Sequence, residues 1–385
     1  MLKLIKTSKY DDLISKVLFT SYFIYQFLFV FSVSALARNI VLIYSITTKL
    51  IMLSFAIIMF CAAYKLFRGF FTKVELIILT IIGFIMVVSF YHYRVVMVIA
   101  NVFAITAFKN EDYVKIIKTY VYASCLAFLL NVLLGMVTPF TGNVTQTRNG
   151  VERIRYGLGF YYPTIGHFYF MSIVIAYLVY KKNISIIDYS VIFIINLILF
   201  ILTDTKAPFA YIIIAIIMHV ILVKMDFKII DKLFGYFTIV SYPLFFISSY
   251  ILYILYNPNV YIFQFLDRML TGRLRLTSNA LKEISIPLLG QTVSIWKDKE
   301  FYIDSSFVTM LVLNGLLVTI VCLLFSIFFC YISYKTKKKA LLIALFLVAF
   351  RSMYDFGFMA MQLSPFTLLF YPVLDEYLAG RGRKF

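Results

Sequence analysis

Long apolar runs separated by short polar clusters recur from one end of the chain to the other. A helix needs about 20 mostly apolar residues to cross the hydrocarbon core of a bilayer. On that basis the pattern predicts twelve spans, near 17–37, 47–66, 74–91, 94–108, 119–140, 161–180, 186–203, 208–224, 233–256, 305–334, 339–354 and 358–374. No soluble domain, low-complexity tract or Pro/Gly linker interrupts them. The expected fold class is therefore an all-α polytopic membrane protein, a single integral membrane domain over residues 1–385. The lysines at 3, 6, 9 and 16, followed by an apolar run ending in Ala35-Leu36-Ala37, resemble a secretion signal. The long polar lead and the similar spans that follow favour an uncleaved first helix.

Composition narrows the class further. With 63% hydrophobic residues, 14% charged residues and a mean hydropathy of +0.93, a water-soluble domain would lack the polar residues to cover its surface. The net charge of +18 would suggest nucleic acid in a soluble protein. Here the basic residues fall between apolar runs, as loop charges do, and no nucleic-acid partner is expected. Cys61, Cys125, Cys322 and Cys330 lie within apolar runs at no metal-type spacing and read as small buried hydrophobes.

Twelve spans put both termini on one side, and the positive-inside rule makes that side cytoplasmic. Lysine-rich segments then face inward: Lys65, Arg68 and Lys73, then Lys109, Lys115 and Lys118, then Lys335 and Lys337–Lys339. The short opposite segments hold only Arg38, Lys49, Arg94, Lys206 and Arg351. Two enlarged extracytoplasmic loops, near 141–160 and 257–304, carry Arg148, Arg153, Arg155, Arg268, Arg273 and Arg275. A point charge suffices for topology, whereas a planar fork of donors grips phosphate in bidentate fashion. The outer arginines are thus candidate anion binders, with lipid headgroups or neighbouring carboxylates as the plainer partners.

Candidate chemistry gathers at the outer span ends. In the second loop, the apolar positions from Phe265 to Leu281 alternate with polar ones as in an interfacial or re-entrant helix. Arg268 and Arg275 share a face only if that helix runs through Gly272. Arg351 and Asp355, four apart, are readable as an ion pair, and Lys206 as a snorkelling side chain. Candidate bases are His167, Asp304, Asp355 and His92; His167 is equally readable as a hydrogen-bonded core histidine. Phosphate loops, metal-ligating His pairs and nucleophile elbows do not occur. Asp298 and Glu300 read as a solvated acidic pair rather than a metal site, so no metal or cofactor is expected.

The segment "RYGLGFYYPTIGHF" resembles the Arg, Gly-Phe, His-Pro-Asn, Gly pattern of the O-antigen and capsular polysaccharide polymerases, the Wzy-type family within the O-antigen ligase-like group. Arg155, Gly159, Phe160, Pro163 and Gly166 match that pattern, while Tyr162 and Thr164 stand where His and Asn are common. "LTGRLRLTSNAL" resembles the family's Thr-Gly-Arg motif. "DSSFVTMLVLNGLL" resembles its Asp-Asn-Ser-Tyr segment followed by Gly, through Asp304, Ser305, Phe307 and Gly315. Lys206 stands where the family often has Arg.

The resemblance implies a multi-pass protein of the bacterial cytoplasmic (inner) membrane. Its expected activity is a metal-independent glycosyl transfer joining oligosaccharide repeat units carried on polyprenyl pyrophosphate into O-antigen, capsule or exopolysaccharide. His167 and Asp304 would be catalytic. Arg94, Arg148, Arg153, Arg155, Lys206, Arg268, Arg273, Arg275 and Arg351 would bind substrate. Partners would be membrane lipid, a chain-length regulator and the flippase of the same pathway. A ligase passing finished glycan to another acceptor shares this architecture. A flippase of lipid-linked oligosaccharide would leave internal repeats and midplane sites, and no convincing repeat occurs.

Overall fold

The computed structural model describes residues 9–93, 96–148, 151–181, 183–225, 227–294, 296–298, 301–355, 357–358 and 360–382, with the side chains at 90, 92–93, 96–99, 147–148, 151, 296–298 and 381–382 outside that description. The chain is helical almost throughout and is an all-α membrane protein. Among the described residues, eight helices are long and apolar enough to cross a membrane. It folds as two compact units: unit 1 comprises residues 1–70, 103–225 and 368–375, and unit 2 comprises 71–102, 226–367 and 376–385.

In unit 1, α1 (Lys9–Ser32) and α3 (Val41–Phe67) are joined by the short α2 (Ala35–Asn39). α1 packs against α3 and against α6 (Tyr113–Val137), and α6 packs against α7 (Pro163–Tyr180). α7 in turn touches α8 (Ile186–Thr203) and α9 (Lys206–His219), the last extended by a π turn at Val220–Lys224. In an apolar solvent hydrophobicity does not drive helices together, so packing and interhelical hydrogen bonds do. Gln26 Nε2 accordingly donates to Ser124 Oγ at 2.9 Å, and Asn131 Nδ2 donates to Val30 O at 3.0 Å. α7 is the most enclosed span, 67% buried over its apolar window against 28–44% for the other seven. By contrast α8 leaves Ile187, Ile194 and Ile201 exposed, as a lipid-facing surface does.

Between α6 and α7 runs an antiparallel hairpin, β1 (Val144–Arg148) and β2 (Val151–Arg155), with Gln146 opposite Arg153. The strand leaving it presses onto α6 at Gly159, where φ is +78° and an added Cβ would lie 1.8 Å from Asn131 O. Only glycine permits that approach. The same stretch hydrogen-bonds the turn after α1, through Ala35 N to Gly159 O at 2.7 Å and Tyr161 N to Val33 O at 3.1 Å.

In unit 2, α10 (Lys228–Ile254) packs against α12 (Arg273–Glu283), α13 (Ser306–Lys335) and α14 (Lys339–Arg351), while α13 also touches α4 (Lys73–Tyr93). The second long loop is not one helix. α11 (Tyr261–Met269) ends at Thr271 and Gly272, both left-handed, and α12 starts in a new direction. Arg268 and Arg275 therefore do not share a helical face. α12 buries Leu274 and Ala280 among Tyr253, Ile303, Val308 and Val312.

α13 is interrupted at Gly315, with φ +87° and ψ 167°. Backbone groups freed inside hydrocarbon cost several kcal/mol each unless paired. A non-helical segment from the loop enters the break and pairs them. Leu316 N donates to Pro287 O at 2.9 Å and Leu317 N donates to Leu288 O at 3.1 Å, while Gln291 N donates to Leu313 O at 3.0 Å. Gln291 Nε2 reaches Val312 O at 3.1 Å, and Ser89 Oγ of α4 reaches Asn314 O at 3.0 Å. Gly315 lies about 14 Å along the axis from the start of α13, and the segment that reaches it is not helical.

Four of the twelve predicted spans have no counterpart among the eight. The run at 74–91 forms α4, of 21 residues. The runs at 94–108 and 339–354 form helices of 12 and 13 residues, α5 (Val96–Ala107) and α14. These are about 18–20 Å long, short of the roughly 30 Å core. The run at 358–374 divides into turns, a 3₁₀ turn (Pro365–Leu369) and the start of α15 (Phe370–Gly382).

Candidate functional site

The β1–β2 hairpin and the entry to α7 build one cluster in unit 1. Arg153 and Arg155 project from the same face of β2, two residues apart. Arg153 is exposed, whereas Arg155 is buried. The Arg155 guanidinium donates from Nε to Thr203 O at 2.8 Å, from Nη1 to Gln146 Oε1 at 3.1 Å and from Nη2 to Thr205 Oγ1 at 3.3 Å. It also sits over the Tyr162 ring, 5.9 Å from the centroid. All its hydrogen-bond acceptors are neutral. Among the described residues no carboxylate pairs with it, so its charge is uncompensated.

Thr203 also faces His167. His167 is fully buried one turn inside α7, with Nε2 at 2.8 Å from Asn196 Oδ1 and Nδ1 at 3.4 Å from Thr203 Oγ1. Because Asn196 Nδ2 donates to Phe209 O at 3.1 Å, its Oδ1 is the acceptor and His167 carries its proton on Nε2. Lys206 is exposed at the start of α9.

The second cluster lies in unit 2, where the start of α12, the residues before α13 and the end of α14 converge. Arg273 Nε is 3.1 Å from Asp304 Oδ2 and its Nη1 donates to Tyr354 O at 2.8 Å. That Nη1 is also 3.9 Å from Asp355 Oδ1, and Arg351 Nε is 3.1 Å from Asp355 Oδ2. Two arginines and two aspartates thus form one connected group. Backbone ties hold it: Ser305 Oγ donates to Ser352 O at 3.0 Å, Ser306 Oγ to Asp355 O at 2.7 Å, and Tyr253 OH to Met353 O at 2.6 Å.

Burial pushes the Asp304 carboxyl up to about 6; Arg273 pulls it down, Asp355 pushes it further up, and a hydrogen bond from Tyr302 pulls it down. Burial, followed by the Asp304 charge, raises the Tyr302 phenol, so that it remains a donor. Arg273 keeps its Nη2 edge without a partner among the described residues, on a side chain 26% exposed. The cluster therefore offers a proton acceptor beside one unengaged guanidinium nitrogen, Nη2 of Arg273.

No family model, curated protein or solved structure matches this chain.

Of the predicted site residues, unit 1 brings Arg155 and His167 together through Thr203, and unit 2 brings Arg273, Asp304, Arg351 and Asp355 together. Arg153 and Arg268 are exposed and outside both hydrogen-bonded groups, and Arg275 is exposed, with its backbone N–H donating to the Asp267 carboxylate at 2.9 Å. Arg94, Glu300 and the side chains of His92, Arg148 and Asp298 lie outside the described residues. Among the described residues no three His, Cys, Asp or Glu side chains converge as metal ligands do. Sequence reasoning missed Asn196 and Tyr302. An Asn in the middle of the apolar run at 186–203 was the available signal, since a polar group at that depth needs a partner.

Proposed function

We propose that this protein polymerises oligosaccharide repeat units carried on polyprenyl pyrophosphate, as a multi-pass enzyme of a bacterial cytoplasmic membrane with both termini cytoplasmic. The observation that carries the reading is the Arg273–Asp304 pair, a carboxylate 3.1 Å from a guanidinium on a side chain 26% exposed, whose Nη2 has no partner among the described residues. Glycosyl transfer from a pyrophosphate donor needs those two functions. In the proposed reaction a hydroxyl of the acceptor unit attacks the anomeric carbon of the donor glycan. The carbon–oxygen bond to pyrophosphate breaks, its electron pair stays on the polyprenyl pyrophosphate, and the hydroxyl proton passes to Asp304. Arginine offsets the charge growing on the leaving group. Arg273 is assigned that role, and Asp304 that of general base.

His167 is assigned a positioning role, because both ring nitrogens already face neighbours in a fully buried site. A chain-length regulator and a flippase would be its pathway partners. The test is reconstitution of the purified protein with lipid-linked repeat units, without nucleotide sugar. A ladder of repeats on the polyprenyl carrier is expected. Glycan transferred to a different acceptor would instead make it a ligase, and units moved across the bilayer without lengthening would make it a transporter.

A further inference from the structure

Arg38 lies in α2, outside both clusters, yet it is held as a ligand-binding arginine is held. Its Cζ is 4.7 Å from the Tyr44 ring centroid and 5.0 Å from that of Tyr161. Its Nη1 reaches Tyr44 OH at 3.3 Å. Two rings fix the guanidinium plane and reduce the rotamer freedom of a long side chain. The other donors of the fork have no partner among the described residues, and no carboxylate pairs with the charge. Arg38, Tyr44 and Tyr161 are all exposed.

The surroundings point to the ligand. Backbone bonds from Ala35 to Gly159 and from Tyr161 to Val33 tie α2 to the segment carrying Tyr162, over whose ring Arg155 sits. Two guanidiniums without counter-charge therefore flank consecutive tyrosines at one end of unit 1. Such an arrangement repels itself unless an anion is bound. Immediately after α2, the exposed Val41 and Leu42 begin the apolar face of α3, a helix long and apolar enough to cross a membrane, so Arg38 precedes a candidate span by three residues.

We propose that Arg38, stacked between Tyr44 and Tyr161, binds the phosphate of a lipid-borne substrate. Its identification as a polyprenyl pyrophosphate rests on the function proposed above; the same chemistry is offered by a bulk phosphoglycerolipid. The planar edge grips two phosphate oxygens in parallel, and the tyrosines keep that edge aimed.

The full chain in phosphatidylcholine nanodiscs is titrated with farnesyl pyrophosphate and, separately, with phosphatidylglycerol. Arg38→Gln is expected to weaken farnesyl pyrophosphate binding at least tenfold, Arg38→Lys nearly as much, and Tyr161→Leu several-fold, with phosphatidylglycerol binding unchanged. Unchanged pyrophosphate affinity in Arg38→Gln overturns the proposal. Equal loss for both probes assigns Arg38 to bulk lipid and overturns the substrate assignment. The glycan-lengthening assay separates the two readings. Wild-type protein that binds pyrophosphate through Arg38 but lengthens nothing sinks the polymerase alone. An Arg38→Gln protein that binds and lengthens normally sinks this site alone.

Discussion

Arg273 Nε and Asp304 Oδ2, 3.1 Å apart, form an ion pair that links α12 to the entrance of α13. With the Asp304 carboxyl pushed up to about 6, its base form is lost as pH falls through that value. The lengthening rate is expected to show an acid limb near pH 6. Since Arg273 lowers this pKa and Asp355 raises it, Arg273→Gln should move the limb to higher pH and Asp355→Asn to lower pH. Folding responds in the opposite sense. A carboxyl whose pKa is higher folded than unfolded binds more protons in the fold, so stability declines as pH rises from about 4 to about 6 and is level above. Asp304→Asn should abolish both dependences and cut the rate at least a hundredfold; a rate–pH profile with no limb near 6 in the wild type would remove Asp304 as the base.

Arg351 and Asp355 are both buried. Removing one partner of a buried pair leaves a charge that costs about 3–5 kcal/mol, whereas replacing both with apolar groups is often neutral. Arg351→Met is expected to lower the unfolding midpoint in detergent sharply, with Arg351→Met/Asp355→Leu recovering most of the loss. Equal midpoints for the single and double variants would show that Arg273 alone compensates Asp355.

At Gly315 an added Cβ would lie 2.4 Å from Gly290 N and 2.7 Å from Leu288 O. Gly315→Ala therefore combines a disfavoured backbone conformation with expulsion of the 287–291 segment, and should destabilise by at least about 3 kcal/mol. Gly290→Ala, which meets Leu313 O at 2.8 Å at φ +99°, should act similarly. Protease sensitivity in the 284–294 stretch is the direct readout.

His167→Gln retains a donor for Asn196 and is expected to keep lengthening within about threefold of wild type. His167→Leu leaves Asn196 Oδ1 buried without its donor, at a cost of about 1–3 kcal/mol. The positioning role predicts that Asn196→Leu added to His167→Leu restores part of that stability. A thousandfold rate loss in His167→Gln at wild-type stability would make His167 the base instead.

The eight long helices were legible because hydrocarbon imposes a length and a polarity that a run of residues either meets or fails. The runs that form short helices show where that logic ends. Hydropathy registers the avoidance of water, and a short helix buried in protein avoids water as well as one facing lipid. Hence 339–354 reads as a span yet forms the 13-residue α14. The break at Gly272 was open in the sequence as an alternative, because glycine both tolerates a helix and ends one. The clusters were legible only as ingredients. Arg155 and His167 are joined by Thr203, 36 residues beyond His167, and Arg273 meets Asp355 from a separate helix. No local periodicity carries such a pairing.

The break in α13 also governs the order of assembly. Residues 285–291 leave the ribosome before the helix whose severed turn they complete, and four donor–acceptor matches await that later helix. Neither piece is a finished membrane segment by itself. The second half of the protein therefore matures as a lock whose key is synthesised first, and a chain stopped between residue 291 and the end of α13 would leave the membrane holding an unpaired strand.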